Sequence, residues 1–301
     1  MTWNKRDLTH VRRRTLVAVV AVMAPVAALA GAAPALAVEH HPKPPFEQFK
    51  DCPLGNSSVE QCILAETKSG EFIVGSKTVT IVNPITLQGG DSGSGTETKF
   101  VGAENGETLS KTAQPVPGGL LGVVAPSFLP KFLQEIFNEF INKGITGVTA
   151  TAELAGPPSS IGLNSEALVG GEGIALALPV KVKLSNPFLG EGCYIGSEAH
   201  PVVIEFTTGT TSPPEPNKPI SGKIGKFEEE DSFALIRLKN NSLVNNSFAA
   251  PGAEGCGGLL SFLIDPAVDA EVGIPAAAGH NTAVLTGTVE TANAAAVKAS
   301  E

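Results

Sequence analysis

A chain of 301 residues with 21 Lys and Arg against 30 Asp and Glu carries a formal charge of −9, unevenly spread along its length. Residues 38–301 hold 16 of the bases and 29 of the acids, a charge of −13, with one Arg (Arg237), one Tyr (Tyr194) and neither Trp nor Met. Nucleic-acid binding needs clustered cations to neutralise phosphates and is excluded, while Arg-fork phosphate recognition and Met-ligated metals are disfavoured by the same composition.

Residues 1–37 read as a cleaved export signal. Lys5 to Arg14 form a basic region, Leu16 to Leu29 an apolar run, and Ala35-Leu36-Ala37 a small-x-small site that makes Val38 the first mature residue. Pro25, Gly31 and Pro34 interrupt the run and favour a signal over a membrane anchor, and no later stretch reaches the ~20 apolar residues of a spanning helix. Arg13-Arg14 loosely fits a twin-arginine signal, although a general secretory signal is the preferred reading. Ala32 stands where a lipoprotein signal places its acylated Cys, so no lipid anchor is expected there. The expected location is extracellular, with association to the cell envelope left open.

Residues 38–50, rich in Pro, His and Lys, are expected to be a flexible arm, and residues 51–301 a single domain. Four Cys in an exported chain favour two disulfides. Of three possible pairings, Cys52–Cys62 closes a short local loop and leaves Cys193–Cys256. No C-x-x-C pair and no His close to a Cys supports zinc instead.

Phe72 to Val74 and Val79 to Val82 read as short strands, Gly89 to Gly95 as a Gly/Ser loop, and Pro115 to Pro126 as breaker-rich. From Ser127, a plausible N-cap, to Lys143, apolar residues recur at helical spacing and include Phe128, Phe132, Phe137 and Phe140. The polar face has too few cations for an interfacial membrane helix. Packing on a sheet is the expected role, and over a barrel mouth the same four Phe would face a ligand. Period-2 alternation then marks strands at Val148 to Leu154, Ile174 to Leu184, Val202 to Phe206, Ala234 to Leu238 and Ala283 to Val289. Pro179 within the second of these favours an edge or a bulge. Asp265-Pro266 opens a short helix closing at Gly273, and Thr211 to Pro219 is a stiff loop inside the domain. Seven or eight strands with one long helix make the fold mainly β: a β-sandwich or open β-barrel with one amphipathic α-helix packed on it.

Asn186-Pro187-Phe188-Leu189-Gly190, Cys193-Tyr194-Ile195-Gly196-Ser197, the run SPPEPNKPI, Asn246 to Gly252 and Gly255-Cys256-Gly257-Gly258 resemble a group of secreted proteins of high-GC actinobacteria to which no activity is assigned. The resemblance covers most of residues 38–301. It implies export and a bonded Cys193/Cys256 pair, and it transfers no catalytic residue.

Gly90-Asp91-Ser92-Gly93 resembles the nucleophile segment of trypsin-like proteases, with His40 or His41 and Asp51 in matching order. About fifty residues between His and Ser are too few for that scaffold, so a Gly/Ser loop is the preferred reading. His40-His41 and the run Glu228 to Asp231 lack the spacing of a metal site, and Asp265, Asp269 and Glu271 read as helix-end charges. No catalytic residue, metal or cofactor is assigned. The leading expectation is a non-enzymatic β-domain acting by binding or as a structural element. A carrier of an apolar ligand or lipid is second, and a hydrolase with a dispersed Glu-based site third.

Overall fold

Strands with one apolar face hide it by stacking two sheets face to face. The computed structural model describes residues 40–93, 98–122, 127–142, 146–231 and 233–301, the side chains of Leu121 and residues 137–142 excepted. The expected signal, with its Ala37/Val38 site, lies outside the described residues.

In chain order the strands are β1 (Val59–Val74), β2 (Lys77–Thr80), β3 (Ile85–Ser92), β4 (Lys99–Gly102), β5 (Gln114–Val116), β6 (Val148–Leu154) and β7 (Gly162–Leu163). They continue as β8 (Leu176–Ser185), β9 (Tyr194–Ile195), β10 (Val202–Phe206), β11 (Lys226–Glu230), β12 (Leu235–Asn245), β13 (Ala253–Glu254) and β14 (Thr282–Asn293). Among the described residues four α-helices accompany them: α1 (Lys131–Asn142), α2 (Ser165–Gly170), α3 (Ser261–Val272) and α4 (Ala294–Ala299). The first sheet runs β11-β12-β14-β1-β3-β4 with β2 added to β1, and the second runs β13-β9-β8-β6-β5 with β7 and β10 added to β8. All pairings are antiparallel. The sheets do not close into a barrel, so of the two architectures expected the sandwich is the one formed.

Two register shifts fall at the same level of the first sheet. β1 slips between Thr67 and Ser69, β12 between Lys239 and Asn241, and both Thr67 and Asn241 pair with Gly287 of β14. Bulges bend and twist a strand, and aligned in neighbours they bend the sheet along one line. Gly287 is required there, because a Cβ would lie 1.9 Å from the Glu66 carbonyl oxygen.

The inner faces form two apolar clusters. One centres on Leu176, Ile204, Phe206 and Leu238, the other on Leu184, Ile195, Cys193 and Cys256. A third cluster backs the first sheet, where Phe46, Phe49, Cys62, Leu235 and Val297 meet. This corrects the flexible arm. From His40 onward the chain is packed: Phe46 and Phe49 are buried, His40 pairs with Glu104 and Glu301, and the Lys43 amide donates to the Ser300 carbonyl. Two aromatic side chains that cover the outer side of β1 outweigh the local excess of polar and Pro residues.

Other expectations also shift. Gly89 to Ser92 belong to β3 rather than to a loop. Pro179 sits inside the hub strand of the second sheet, opposite Val203 of β10. Its carbonyl accepts from the Ala155 amide, just past the end of β6, and the pairing stops there because Pro179 has no N–H to return the bond. The Phe-rich helix begins at Lys131, not after Ser127, because Pro130 forces Leu129 out of helical geometry. Both disulfides form as preferred, Cys52–Cys62 and Cys193–Cys256.

The bridges span 10 and 63 residues, for which loop-closure entropy gives about 3 and about 4 kcal/mol. Replacing Cys193 and Cys256 together by Ala should therefore lower unfolding free energy by about 1–2 kcal/mol more than replacing Cys52 and Cys62. Urea denaturation of the two double variants measures the difference.

Candidate functional site: an apolar cavity between the sheets

The inward face of β8 is one unbroken apolar row, Leu176, Leu178, Val180, Val182 and Leu184, and every member lines a cavity of about 160 Å³ between the sheets. Eight residue steps along an antiparallel strand make that wall about 26 Å long. The cavity is thus elongated and narrow. Ala150 and Ala152 of β6 and Ala65 of β1 also face it, and such short side chains cannot reach across to interdigitate. Phe72, Val74, Ile85 and Leu285 point inward yet stay only partly buried, because they border empty space instead of neighbours. The polar lining residues are Thr67, Lys77, Thr112 and Gln114. Gln114 is committed to the backbone: its Oε1 accepts from the amides of Val82 and Asn83, and its Nε2 donates to the Asn83 carbonyl.

The cavity runs from the first inner cluster into the second. At its second end β2 and α3 meet. Ser76 donates through both N–H and Oγ to the Val272 carbonyl, the Gly75 amide donates to Asn281 Oδ1, and Lys77 Nζ bonds the Glu271 carboxylate. Helix α3 is pinned at its other end, where Asp265 accepts from the amides of Gly255 and Cys256, and Asp269 from Ala253. The acidic residues read as helix-end charges are therefore fasteners. The helix is also longer than expected and holds Pro266 in its interior.

No described side chain of the Phe-rich helix lines this cavity. Phe128, Phe132 and Ile136 are exposed, at 84, 61 and 61 %, and Leu133 is exposed as well, so the expected packing on a sheet is overturned for the described side chains. Phe137 and Phe140 lie outside the described side chains. What holds α1 at its start is Gln134, whose side chain donates to the carbonyls of Ser127 and Leu129. A second group of exposed apolar residues, Leu259, Leu260, Phe262 and Leu263, leads into α3.

The serine-protease-like string builds no catalytic group. Ser92 Oγ donates to the Lys99 carbonyl at 3.3 Å, and His40 is occupied by Glu104 and Glu301. The Glu carboxylates that gather are neutralised on the face of the first sheet turned away from the cavity. Arg237 bonds Glu230 and Glu290, while Glu228, held down to about 2 by the ammonium groups of Lys226 and Lys239, bonds both. The run Glu228 to Glu230 lies in the edge strand β11. Among the described residues no group of three or more His, Cys, Asp and Glu could hold a metal, and no helix is long and apolar enough to cross a membrane.

Sequence reading missed Lys77 and the cavity-facing Ala65 and Thr67 of β1. The signal for Lys77 was present: Val74-Gly75-Ser76-Lys77 is a two-residue hairpin turn between alternating strands.

Asp91 is the other unexpected group. It is 5 % exposed, and burial, aided by the nearby Glu60, raises its pKa from 3.8 to about 6. A raised carboxyl pKa means that the fold binds the proton more tightly than the unfolded chain does. Its stabilising effect is complete below pH 3.8 and is lost as pH climbs through about 6. Asp91→Asn should remove this dependence and stabilise the protein at pH 7.5 by up to about 3 kcal/mol, with little difference at pH 4. Thermal unfolding of both proteins at the two pH values checks it. Comparison of the chain with protein-family models, with curated proteins and with solved structures finds no match.

Proposed function

We propose that this chain is an exported binding protein that carries an apolar ligand between its two sheets. The observation that supports the reading is the elongated cavity, about 160 Å³ in volume and walled by aliphatic side chains from both sheets. An apolar cavity of roughly 150 Å³ stays dry and admits a benzene-sized guest, and drug-sized ligands need roughly 300–1,000 Å³. The volume therefore suits one thin hydrocarbon chain and not a bulky or branched molecule. Export accords with the basic and apolar segments before Val38 and with two disulfides, which persist in oxidising compartments. Among the three expected roles the carrier gains most, since a packed interior would have removed it. The hydrolase gains no support from the cavity, since no Asp or Glu among the described residues lines it.

Native mass spectrometry after incubation with a neutral single-chain alcohol should show a one-to-one complex. Ala152→Phe, which projects a ring into the cavity, should weaken binding at least tenfold. In a tightly packed core such an enlargement destabilises by about 1–3 kcal/mol; here stability should hold or rise, since the ring enters empty space. An absence of any complex, or unchanged binding in the variant, would refute the carrier.

A further inference from the structure

The charged group in the cavity wall points to a ligand class. Among the described residues Lys77 is the one charged residue that lines the cavity. It stands at the first position of β2, across from Val74 on the rung that closes the β1–β2 turn. Val74 and Val79 on the same hairpin pack into the cluster that holds Leu184, Ile195 and Val272. Leu176, Ile204 and Phe206, at the other end of the β8 wall, belong to the opposite cluster, and Phe206 is completely buried. The long cavity thus has an apolar closed end and a cationic end.

The cationic end reaches the surface. The Lys77 side chain is 18 % exposed and that of its partner Glu271 41 %, so the ion pair stands at the rim of the cavity with Lys77 the more covered of the two. The turn that carries Lys77 is fixed to α3 by Ser76 and to Asn281 by Gly75, which holds the ammonium in place. An ammonium against an apolar wall favours an anion over a neutral group, because little water remains there to screen it.

We propose that the cavity selects a single-chain amphiphile with a carboxylate head, its hydrocarbon chain along β8 and its carboxylate on Lys77 Nζ, displacing the Glu271 carboxylate from that contact. The proposal rests on the carrier reading above and adds the head group to it. One cation matches one negative charge, and the narrow cross-section admits one chain, which disfavours diacyl lipids.

Residues 38–301 are titrated calorimetrically at pH 8 with octanoate and with octanol, eight-carbon ligands that suit a cavity of about 160 Å³. Octanoate should bind about tenfold more tightly than octanol. Lys77→Met, which keeps the apolar stem, should erase that preference by lowering octanoate affinity. Glu271→Gln, which frees the Lys77 ammonium, should raise octanoate affinity several-fold, and it tests the same contact should Lys77→Met fail to fold. Equal binding of acid and alcohol by the native protein, a preference that survives Lys77→Met, or an unchanged octanoate affinity in Glu271→Gln overturns the role of Lys77 while the carrier stands. Binding of neither ligand overturns both.

Discussion

The separation of the two sheets is the constraint on which the rest of the structure depends. In a sandwich, inner side chains from both layers normally interdigitate across about 10 Å. Here the short side chains of Ala65, Ala150 and Ala152 face the gap, and two register shifts meet at Gly287 in the first sheet. Cohesion is therefore displaced toward the two ends, where Ile204 and Phe206 fill one cluster and Leu184 and Ile195 the other. Apolar area left uncovered forgoes about 25 cal/mol per Å². The Cys193–Cys256 bond, completely buried in the second cluster, offsets part of that deficit.

Helix α3 explains how the cavity end is kept in shape. Ile264, Val268 and Val272 turn toward the second cluster, one turn apart, while Asp265 and Asp269 fasten the helix to the strand and disulfide beside it. Its last turn then presents the Val272 carbonyl and the Glu271 carboxylate to the β1–β2 turn. One element thus ties the edge of the second sheet to a hairpin of the first. The two layers cannot slide at that end without breaking several hydrogen bonds together.

Much of the second sheet was legible in the sequence. The β8 row, the alternation in β6 and that in β10 each survive intact, since their outer faces carry Lys, Thr and Glu and the period-2 contrast is sharp. The longest strand, β1, was largely invisible: Glu66 to Glu71 put polar residues and Gly70 at its bulge, which breaks the alternation. Gly89 and Gly90 imitated a loop, whereas they pair in β3 and are glycines because a Cβ would strike the Phe100 ring at the first and Val59 at the second. Helical periodicity in α1 revealed an amphipathic face correctly and said nothing of what meets it; Phe132 and Ile136 meet solvent. The cavity was hidden for a related reason. Alternation tells which side chains turn inward but not how far away the opposite layer stands.

Tyr194 gives the protein an unusual optical character. It follows Cys193 and precedes the cavity-lining Ile195, so its ring lies on the opposite face of β9, under Lys181 at 5.2 Å and with its hydroxyl donating to Glu153. Residues 38–301 contain no Trp. The interior is therefore dark in the near ultraviolet, and the one phenol is turned away from whatever enters. A single indole placed on the inner wall would report on the filling of that space against almost no background.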